Sequence, residues 1–263
     1  GLQWDGKDYS CSYDALFAIL YNIWQEHPRH WSKTFNGLGV FAECLVEGFQ
    51  NVYKDAITLE EVRDHVRNRL HAFSPDAFPF GQKGATMGEL ASVMLNPSSP
   101  RDVWLRCGSC GSRVPVGGTM FNFAYVSVKE PTTTDNWLAH RFQTRSPPHC
   151  PECSSLLRGV WHSDSPPNLM ALQIYGQPIT ISPVVKIMGK SRNSHLHLKG
   201  IVYHGQFHFT ARLISSERLV YFHDGARSAG ATLTTKGHLN KFSDADLMEC
   251  EGRQATLVVY AKI

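Results

Sequence analysis

The stretch "DYSCSYDALFAILYNIW", residues 8–24, decides how the fold begins and where its chemistry is expected. Its apolar side chains recur at i, i+3, i+4 and i+7, which predicts a helix over residues 12–25 with one buried face. Cys11 falls in the first turn, where unpaired backbone N–H groups and the helix dipole favour an anion. This position favours a lowered pKa at Cys11, but position alone leaves two interpretations open, an ordinary buried thiol and a reactive thiolate.

The bulk composition excludes several classes of protein. The chain has 263 residues, 42% hydrophobic and 19% charged, with a net charge of +3 and charges of both signs mixed along it. This pattern predicts a globular protein that does not bind nucleic acid. No run reaches about 18 apolar residues and the start lacks a secretory signal, so no membrane span is expected. Seven cysteines, most of them in CxxC pairs, fit a reducing compartment and predict an intracellular protein.

Helical patterns dominate residues 1–100, and strand patterns dominate the remainder. Beyond the first helix, helical periodicity spans residues 35–49, residues 58–73 and residues 86–95. Thr58 and Glu61 have the spacing of a capping box at the start of the second of these. From residue 101, short β-branched or aromatic runs separated by Gly, Pro, Asn and Ser predict a mainly antiparallel sheet. Helices followed by strands indicate an α+β fold.

Two CxxC pairs predict a metal site. "CGSC" contributes Cys107 and Cys110, and "CPEC" contributes Cys150 and Cys153. Four thiolates suit one tetrahedral Zn²⁺, and a site filled by sulfur leaves no position for water, so the zinc is expected to be structural. It would join two hairpin tips. Unpaired thiols and redox CxxC motifs are the alternatives, although the latter need a thioredoxin-like βαβ setting that the sequence lacks.

Residues 200–225, "GIVYHGQFHFTARLISSERLVYFHDG", offer a base for Cys11 and a group to orient that base. The pattern predicts a hairpin in which His208 lies on one strand and Asp224 ends the next. Neighbouring strands lie about 5 Å apart, so Asp224 could hold the His208 imidazole in the correct tautomer.

Taken together, these motifs resemble the ubiquitin-specific protease superfamily of papain-like cysteine isopeptidases, nearly end to end. "SCSYDALFAILYNIW" is similar to its Cys box, "VYHGQFHFTARL" to its His box, "LVYFHDG" to the strand that delivers the third triad member, and "QATLVVYAKI" to its final strand. Gly6 stands where the family typically has an oxyanion-stabilising Asn. The family's usual "F-D/N-D" reads "FHD" here, so His223 is the alternative to Asp224 as the third triad member, but an imidazole would hold the base less well. The spacing of Trp4, Cys11 and Asp14 looks closer to the divergent SUMO-directed branch.

The resemblance implies an organisation and a set of site residues. It implies one catalytic domain over residues 1–263, with a helical thumb (1–100), zinc-binding β fingers (101–165) and a β palm (166–263). The implied catalytic residues are Cys11, His208 and Asp224, with Gln3 as a candidate oxyanion donor. The CxxC pairs lie where the family inserts its zinc-binding fingers, so the implied metal ligands are Cys107, Cys110, Cys150 and Cys153.

The function implied is that of a thiol-dependent isopeptidase, a deubiquitinase or a related enzyme. It would cleave ubiquitin or a ubiquitin-like modifier such as SUMO after the C-terminal glycine through a thioester. The expected partner is therefore the modifier, with no nucleic acid and no membrane, and we expect a monomer. Three alternatives remain: a SUMO-specific protease, a module that binds a modifier without catalysis, and a papain-like peptidase acting on ordinary peptides. The altered oxyanion box is the reason for keeping the second.

Overall fold

Helices come first along the chain and most strands follow, so the expected mixture of helix and sheet is present. The computed structural model describes residues 1–96, 101–141, 149–157, 167–187, 194–227 and 233–263. The helices are α1 (Cys11–Glu26), α2 (Pro28–Asn36), α3 (Val40–Tyr53), α4 (Leu59–Phe73), α5 (Met87–Leu95), α6 (Thr134–Arg141) and α7 (Asp244–Met248), with a 3-10 helix at Leu239–Lys241. The strands are β1 (Arg101–Arg106), β2 (Arg113–Met120), β3 (Phe123–Tyr125), β4 (Thr132–Thr133), β5 (Leu169–Gln173), β6 (Ile179–Thr180), β7 (Val184–Ile187), β8 (Ser194–Gly205), β9 (His208–Ile214), β10 (Leu219–His223), β11 (Thr234–His238), β12 (Glu249–Cys250) and β13 (Arg253–Ala261).

The largest sheet of the described residues has the strand order β11-β10-β9-β8-β13-β5-β3, with β7 paired to β8 and β12 paired to β13. Its pairs are antiparallel except β3 with β5, which confirms the predicted strand direction for most of the sheet. The antiparallel hairpin β1–β2 and the parallel pair β4–β6 form separate small sheets. Residues 101–165 therefore hold a separate hairpin, but also β3 of the large sheet and α6.

Helix α1 packs against the large sheet and thereby positions the site. Along β13, Leu257 and Val259 face the core that the sheet shares with the helices, whereas Val258 and Tyr260 face a second core on the opposite side. A Cβ added at Gly200 of β8 would lie 2.5 Å from the Ile19 side chain, so only glycine allows α1 to approach this closely. Helix α1 also contacts β9, and the N–H of Phe209, the second residue of β9, reaches the sulfur of Cys11 in the first turn of α1.

The capping box predicted at α4 is confirmed, and one predicted helix is wrong. The Thr58 side chain accepts from the Glu61 N–H, while the Glu61 carboxylate accepts from the Thr58 N–H. The helix expected over residues 35–49 is instead divided between α2 and α3. Gly39 adopts φ 115°, which is incompatible with a continuing helix and strongly favours glycine. Leu38, which lies between α2 and α3, is buried. The helical spacing of apolar residues therefore continues through a segment where the backbone is not helical.

Within the part of the chain that is described, no helix has both the length and the apolar character needed to cross a lipid bilayer.

Candidate functional site

Cys11 is the first residue of α1 and lines a cleft of about 400 Å³. The cleft is bounded by the segment before α5 and by strands β5, β8, β9 and β13, and Tyr9, Phe207 and Phe209 also face it. Only 7% of the Cys11 surface is exposed. Burial raises the pKa of Cys11 and the charge of Asp14 adds to this, which outweighs the backbone N–H groups of Phe209 and Ser12 that lower it. The sequence-based prediction of a lowered pKa is therefore wrong, because desolvation exceeds the effect of the helix terminus.

His208 and Asp224 form a hydrogen-bonded pair on neighbouring strands. His208 begins β9, Asp224 directly follows β10, and His208 Nε2 lies 2.7 Å from Asp224 Oδ1. A carboxylate only accepts hydrogen bonds, so Nε2 carries the proton and Nδ1 of the neutral ring keeps its lone pair. Phe209, whose N–H reaches the Cys11 sulfur, is the residue after His208. The two neighbours of His208 in the chain, Phe207 and Phe209, line the cleft that contains Cys11, whereas His208 is not among the described residues that line it.

Several groups hold Asp224 in its charged form. Burial raises the pKa of this carboxyl, but hydrogen bonds from His208 and from the Ala226 N–H lower it, and the net result is a pKa below its usual value. The Ala226 N–H donates to Oδ1 over 3.1 Å, and Arg227 Nε lies 3.4 Å from Oδ2. An ionised Asp224 can fix the tautomer of His208 and stabilise an imidazolium.

His223 has a different role from the one considered for it above. Its Nε2 lies 2.9 Å from the Leu2 nitrogen and 3.0 Å from the Leu2 oxygen, so it contacts the N-terminal backbone. The Trp4 N–H donates to the Gly225 carbonyl over 2.9 Å, and a Cβ at Gly225 would lie 2.9 Å from the Leu2 oxygen. The Trp4 ring meets the His208 ring edge-on at 6.0 Å. The N-terminal segment thus packs directly against the strand end that carries Asp224.

We expect His223 to make folding depend on pH. Burial lowers the pKa of His223 from 6.5 to about 4, so between these values the unfolded chain binds a proton that the folded chain does not. Its contribution to the free energy of unfolding is complete above pH 6.5 and is lost as pH falls toward 4, by about 3 kcal/mol in total. Urea unfolding measured between pH 6.5 and pH 4 should show that the free energy of unfolding falls more steeply as pH is lowered for the wild type than for His223→Gln. His65→Gln, at an exposed position of α4, is the control, and equal slopes for all three proteins would contradict the prediction.

A buried ion pair fixes the turn that precedes Cys11. Arg63 of α4 lies 2.9 Å from Asp14 of α1, and both side chains are almost fully buried. Ser10 Oγ donates to Asp14 over 2.7 Å and accepts from the Asp5 N–H over 2.7 Å. Arg63 also donates to the Gln3 carbonyl over 2.6 Å. These contacts link the N-terminal segment to α1 and α4, so they set the position of Cys11 relative to residues 2–5.

Gln3, the candidate oxyanion donor, is fixed in place by hydrogen bonds to its backbone N–H and carbonyl groups. Its N–H donates to Glu60 Oε1 over 2.7 Å, its carbonyl accepts from Arg63, and its side chain is exposed. Among the described residues that line the cleft, Gln3 does not occur, and its role as an oxyanion donor stays a prediction. Gly6 lies under Trp4: an added Cβ would come 3.2 Å from the indole ring. A larger residue at Gly6 would therefore displace Trp4, which contacts His208.

Sequence reasoning missed two contributors to this site. The Phe209 N–H carries no side-chain signal, because any residue supplies a backbone amide. Arg63 could have been suspected, since it lies next to the apolar stripe of α4 and a buried arginine requires an acidic partner. The sequence alone did not indicate that this partner is Asp14.

The four cysteines of the CxxC pairs lie together, as the sequence predicted, and could hold one metal ion. Their sulfur atoms all lie within 4.8 Å of one another. Cys107 Sγ is 3.5 Å from Cys153 Sγ, and Cys110 Sγ is 3.7 Å from Cys150 Sγ. A tetrahedron with Zn–S bonds of about 2.3 Å has edges of about 3.8 Å, so this spacing fits a tetrathiolate zinc site.

Matching turns present the two pairs of sulfurs. The Gly111 N–H donates to the Cys107 carbonyl over 2.9 Å, and the Ser154 N–H donates to the Cys150 carbonyl over 2.8 Å. Gly111 and Ser154 both have positive φ, 77° and 58°. The first turn joins β1 to β2, and the second lies inside the bridge between His149 and Leu156. A metal held here would join two hairpin turns that bury few side chains of their own.

Comparison with protein-family models finds no match, and comparison with curated proteins finds none either. Solved structures do match, and two of them are SAGA DUB modules. The SAGA DUB module of Ubp8, Sgf11, Sus1 and Sgf73 bound to monoubiquitin matches with 15% identity and a TM-score of 0.49, over 100% of this chain and 69% of that chain. A second SAGA DUB module structure matches with 13% identity and a TM-score of 0.44, over 97% of this chain and 65% of that chain. At these values the function must be inferred from the site's own residues.

Proposed function

We propose that the chain is a cysteine isopeptidase that cleaves ubiquitin or a ubiquitin-like modifier after its C-terminal glycine. One observation carries the proposal: a thiol at a helix N-terminus adjoins a strand that begins with a histidine, and an aspartate 2.7 Å away orients that histidine. A nucleophile, a base and a group that orients the base are the parts that thiol acyl transfer requires. The choice of a modifier as substrate is supported by the resemblance of the surrounding motifs to ubiquitin-specific proteases.

The reaction begins with proton transfer. Since burial raises the pKa of Cys11, the thiol needs a base, and the lone pair on His208 Nδ1 accepts its proton. The sulfur then bonds to the glycine carbonyl carbon while the first-turn amides of α1 stabilise the oxyanion. The bond from this carbon to the lysine nitrogen breaks as His208 returns the proton to the amine. Water then attacks the thioester, His208 takes a proton from it, and the modifier carboxylate and the Cys11 thiol are released.

A second candidate function is that of a modifier-binding module without catalysis. The observation that favours it is the burial of Cys11, which keeps the thiol protonated unless a base is aligned with it. In this case the cleft would hold the modifier tail but form no thioester. The two candidates differ in one readout, which is covalent capture of a modifier at Cys11.

We expect propargyl-ended ubiquitin or SUMO to form a covalent adduct at Cys11, detectable as a mass increase of one modifier. Cys11→Ala should form no adduct, whereas Cys44→Ala, which alters another buried cysteine, should react like the wild type. The two modifiers are tested in parallel to reveal which is preferred. If neither modifier reacts while iodoacetamide still labels Cys11, the proposed enzymatic function is overturned.

A further inference from the structure

The turn between β8 and β9, at the edge of the cleft, contains two residues that are unusual for its backbone conformation. Gly205 pairs with His208, so Gln206 and Phe207 form a two-residue hairpin turn. Both have positive φ, 55° and 58°. Hairpins of this kind usually place Asn, Asp or Gly at such positions, because a side chain is strained there. Strain that the local sequence does not relieve is expected at functional sites more than elsewhere.

Phe207 is also left in solvent. It is 96% exposed, more than any other large hydrophobic residue of the described chain. A single exposed hydrophobic side chain is common and carries no meaning alone. Here, however, the exposed ring also lines the cleft that contains Cys11 and directly precedes His208. Strain and exposure therefore coincide at the mouth of the proposed active site.

The position of Phe207 limits what it can touch. The N–H of Phe209 reaches the Cys11 sulfur, and two residues of chain span at most about 7 Å. A substrate whose carbonyl carbon lies at Cys11 therefore passes Phe207 within a few residues of the bond that is cut. The same cleft is also lined by Tyr9, Met87 and Tyr175, which are apolar or aromatic side chains suited to an apolar partner.

We propose that Phe207 is a substrate-binding residue that packs against an apolar side chain of the modifier's extended tail, a few residues before the terminal glycine. This inference rests on the proposed function and narrows its substrate class to modifiers whose tail carries a leucine-like residue there, as ubiquitin's does. Covering the ring with such a side chain removes apolar surface from water on both partners. The turn strain is tolerated because it holds the ring over the path of the substrate.

Phe207→Asn tests the contact without threatening the fold, because the side chain is exposed and Asn tolerates positive φ better than Phe. For ubiquitin with a fluorogenic C-terminal amide, kcat/KM should fall about tenfold, as expected for the loss of one aromatic anchor. The melting temperature should not fall, since Asn relieves strain at this position, and iodoacetamide labelling of Cys11 should not change. Tyr53→Ala alters an aromatic residue of α3 that is 66% exposed and lies outside the cleft lining, and it should leave kcat/KM unchanged. An unchanged kcat/KM for Phe207→Asn overturns the proposal.

A paired experiment identifies the contact. Ubiquitin with its tail leucine nearest the C-terminus replaced by serine, and a second ubiquitin with the next tail leucine so replaced, serve as substrates for wild type and Phe207→Asn. With one of these two ubiquitin variants as substrate, Phe207→Asn should lower kcat/KM by less than twofold, because the effects of removing two groups that contact each other are not additive. If the effect of Phe207→Asn on kcat/KM is as large with both ubiquitin variants as with unmodified ubiquitin, the proposed contact is overturned.

Binding separates this inference from the proposed chemistry. In the Cys11→Ala background, ubiquitin should bind about tenfold more weakly once Phe207→Asn is added. If the wild type shows no turnover but this difference is present, catalysis is overturned and the contact stands. If the two dissociation constants are equal, the contact is overturned whatever the turnover.

Discussion

His208→Ala should lower kcat for a ubiquitin or ubiquitin-like substrate by about a thousandfold, within the range for loss of a general base. The physical reason lies in the surroundings of Cys11. Burial raises the pKa of this thiol, so few molecules carry a thiolate at neutral pH unless a base accepts the proton. The same variant also loses the acid that protonates the leaving amine. Both proton transfers therefore fail together.

Asp224→Asn tests the role of the carboxylate that is paired with His208. The carboxylate accepts from His208 Nε2 over 2.7 Å, whereas an Asn can present its NH₂ and favour the wrong tautomer. We expect kcat to fall about a hundredfold or more, with a smaller change in KM. Steady-state kinetics with a fluorogenic modifier amide measures both variants.

The controls for these variants use residues outside the pair. His195→Ala removes an exposed histidine of β8 and should leave kcat within about twofold of the wild type, as expected for a surface substitution. Thermal unfolding should show that all variants remain folded. If His208→Ala retained wild-type turnover, the assignment of the base would be wrong, because the described residues at Cys11 offer no other histidine paired with a carboxylate.

Cys150→Ser should prevent zinc binding at the four cysteines and unfold the region around the two CxxC turns. Cys150 is buried among Leu105, Val114 and Leu157, a cluster too small to hold two turns together. Apparent zinc-binding free energies of about 10–16 kcal/mol at such sites act as folding energy. Elemental analysis should find one zinc per wild-type chain and less than half of this in the variant. Limited proteolysis should then cleave the variant within residues 105–157.

A matched control is available for this prediction. Cys250→Ser alters a cysteine that is also buried but packs in the core beneath the large sheet, so it should keep the zinc. Since β1 and β2 form a sheet of their own, we expect Cys150→Ser to retain covalent labelling of Cys11 by a modifier probe. A wild-type protein that contains no zinc after expression in zinc-supplemented medium, yet resists proteolysis in residues 105–157, would contradict the structural role of the metal.

Several features could be predicted because their causes are local. The buried face of α1, the capping box at Thr58 and Glu61, and the start of α5 after Thr86 follow from spacing within a few residues. The turns at the CxxC pairs are local as well, and four thiols in such turns are expected to converge on one ion. The division between α2 and α3 was missed because Leu38 continues the apolar period while the backbone at Gly39 ends it.

The sequence by itself determined that helices dominate the first hundred residues and strands the remainder, but not the helices α6 and α7 among the strands. It also determined the four thiols of the metal site and a short set of residues suited to thiol chemistry. The pairing of His208 with Asp224 was also predicted, because both residues belong to one hairpin. Only the tertiary structure brought this hairpin against the helix that carries Cys11, since the two segments are far apart in the chain. It also decided that the Cys11 pKa is raised, that His223 holds the N-terminal backbone, and that Phe207 is exposed in the cleft. Spacing along a chain reports periodicity, whereas desolvation and side-chain contacts depend on what the fold brings near.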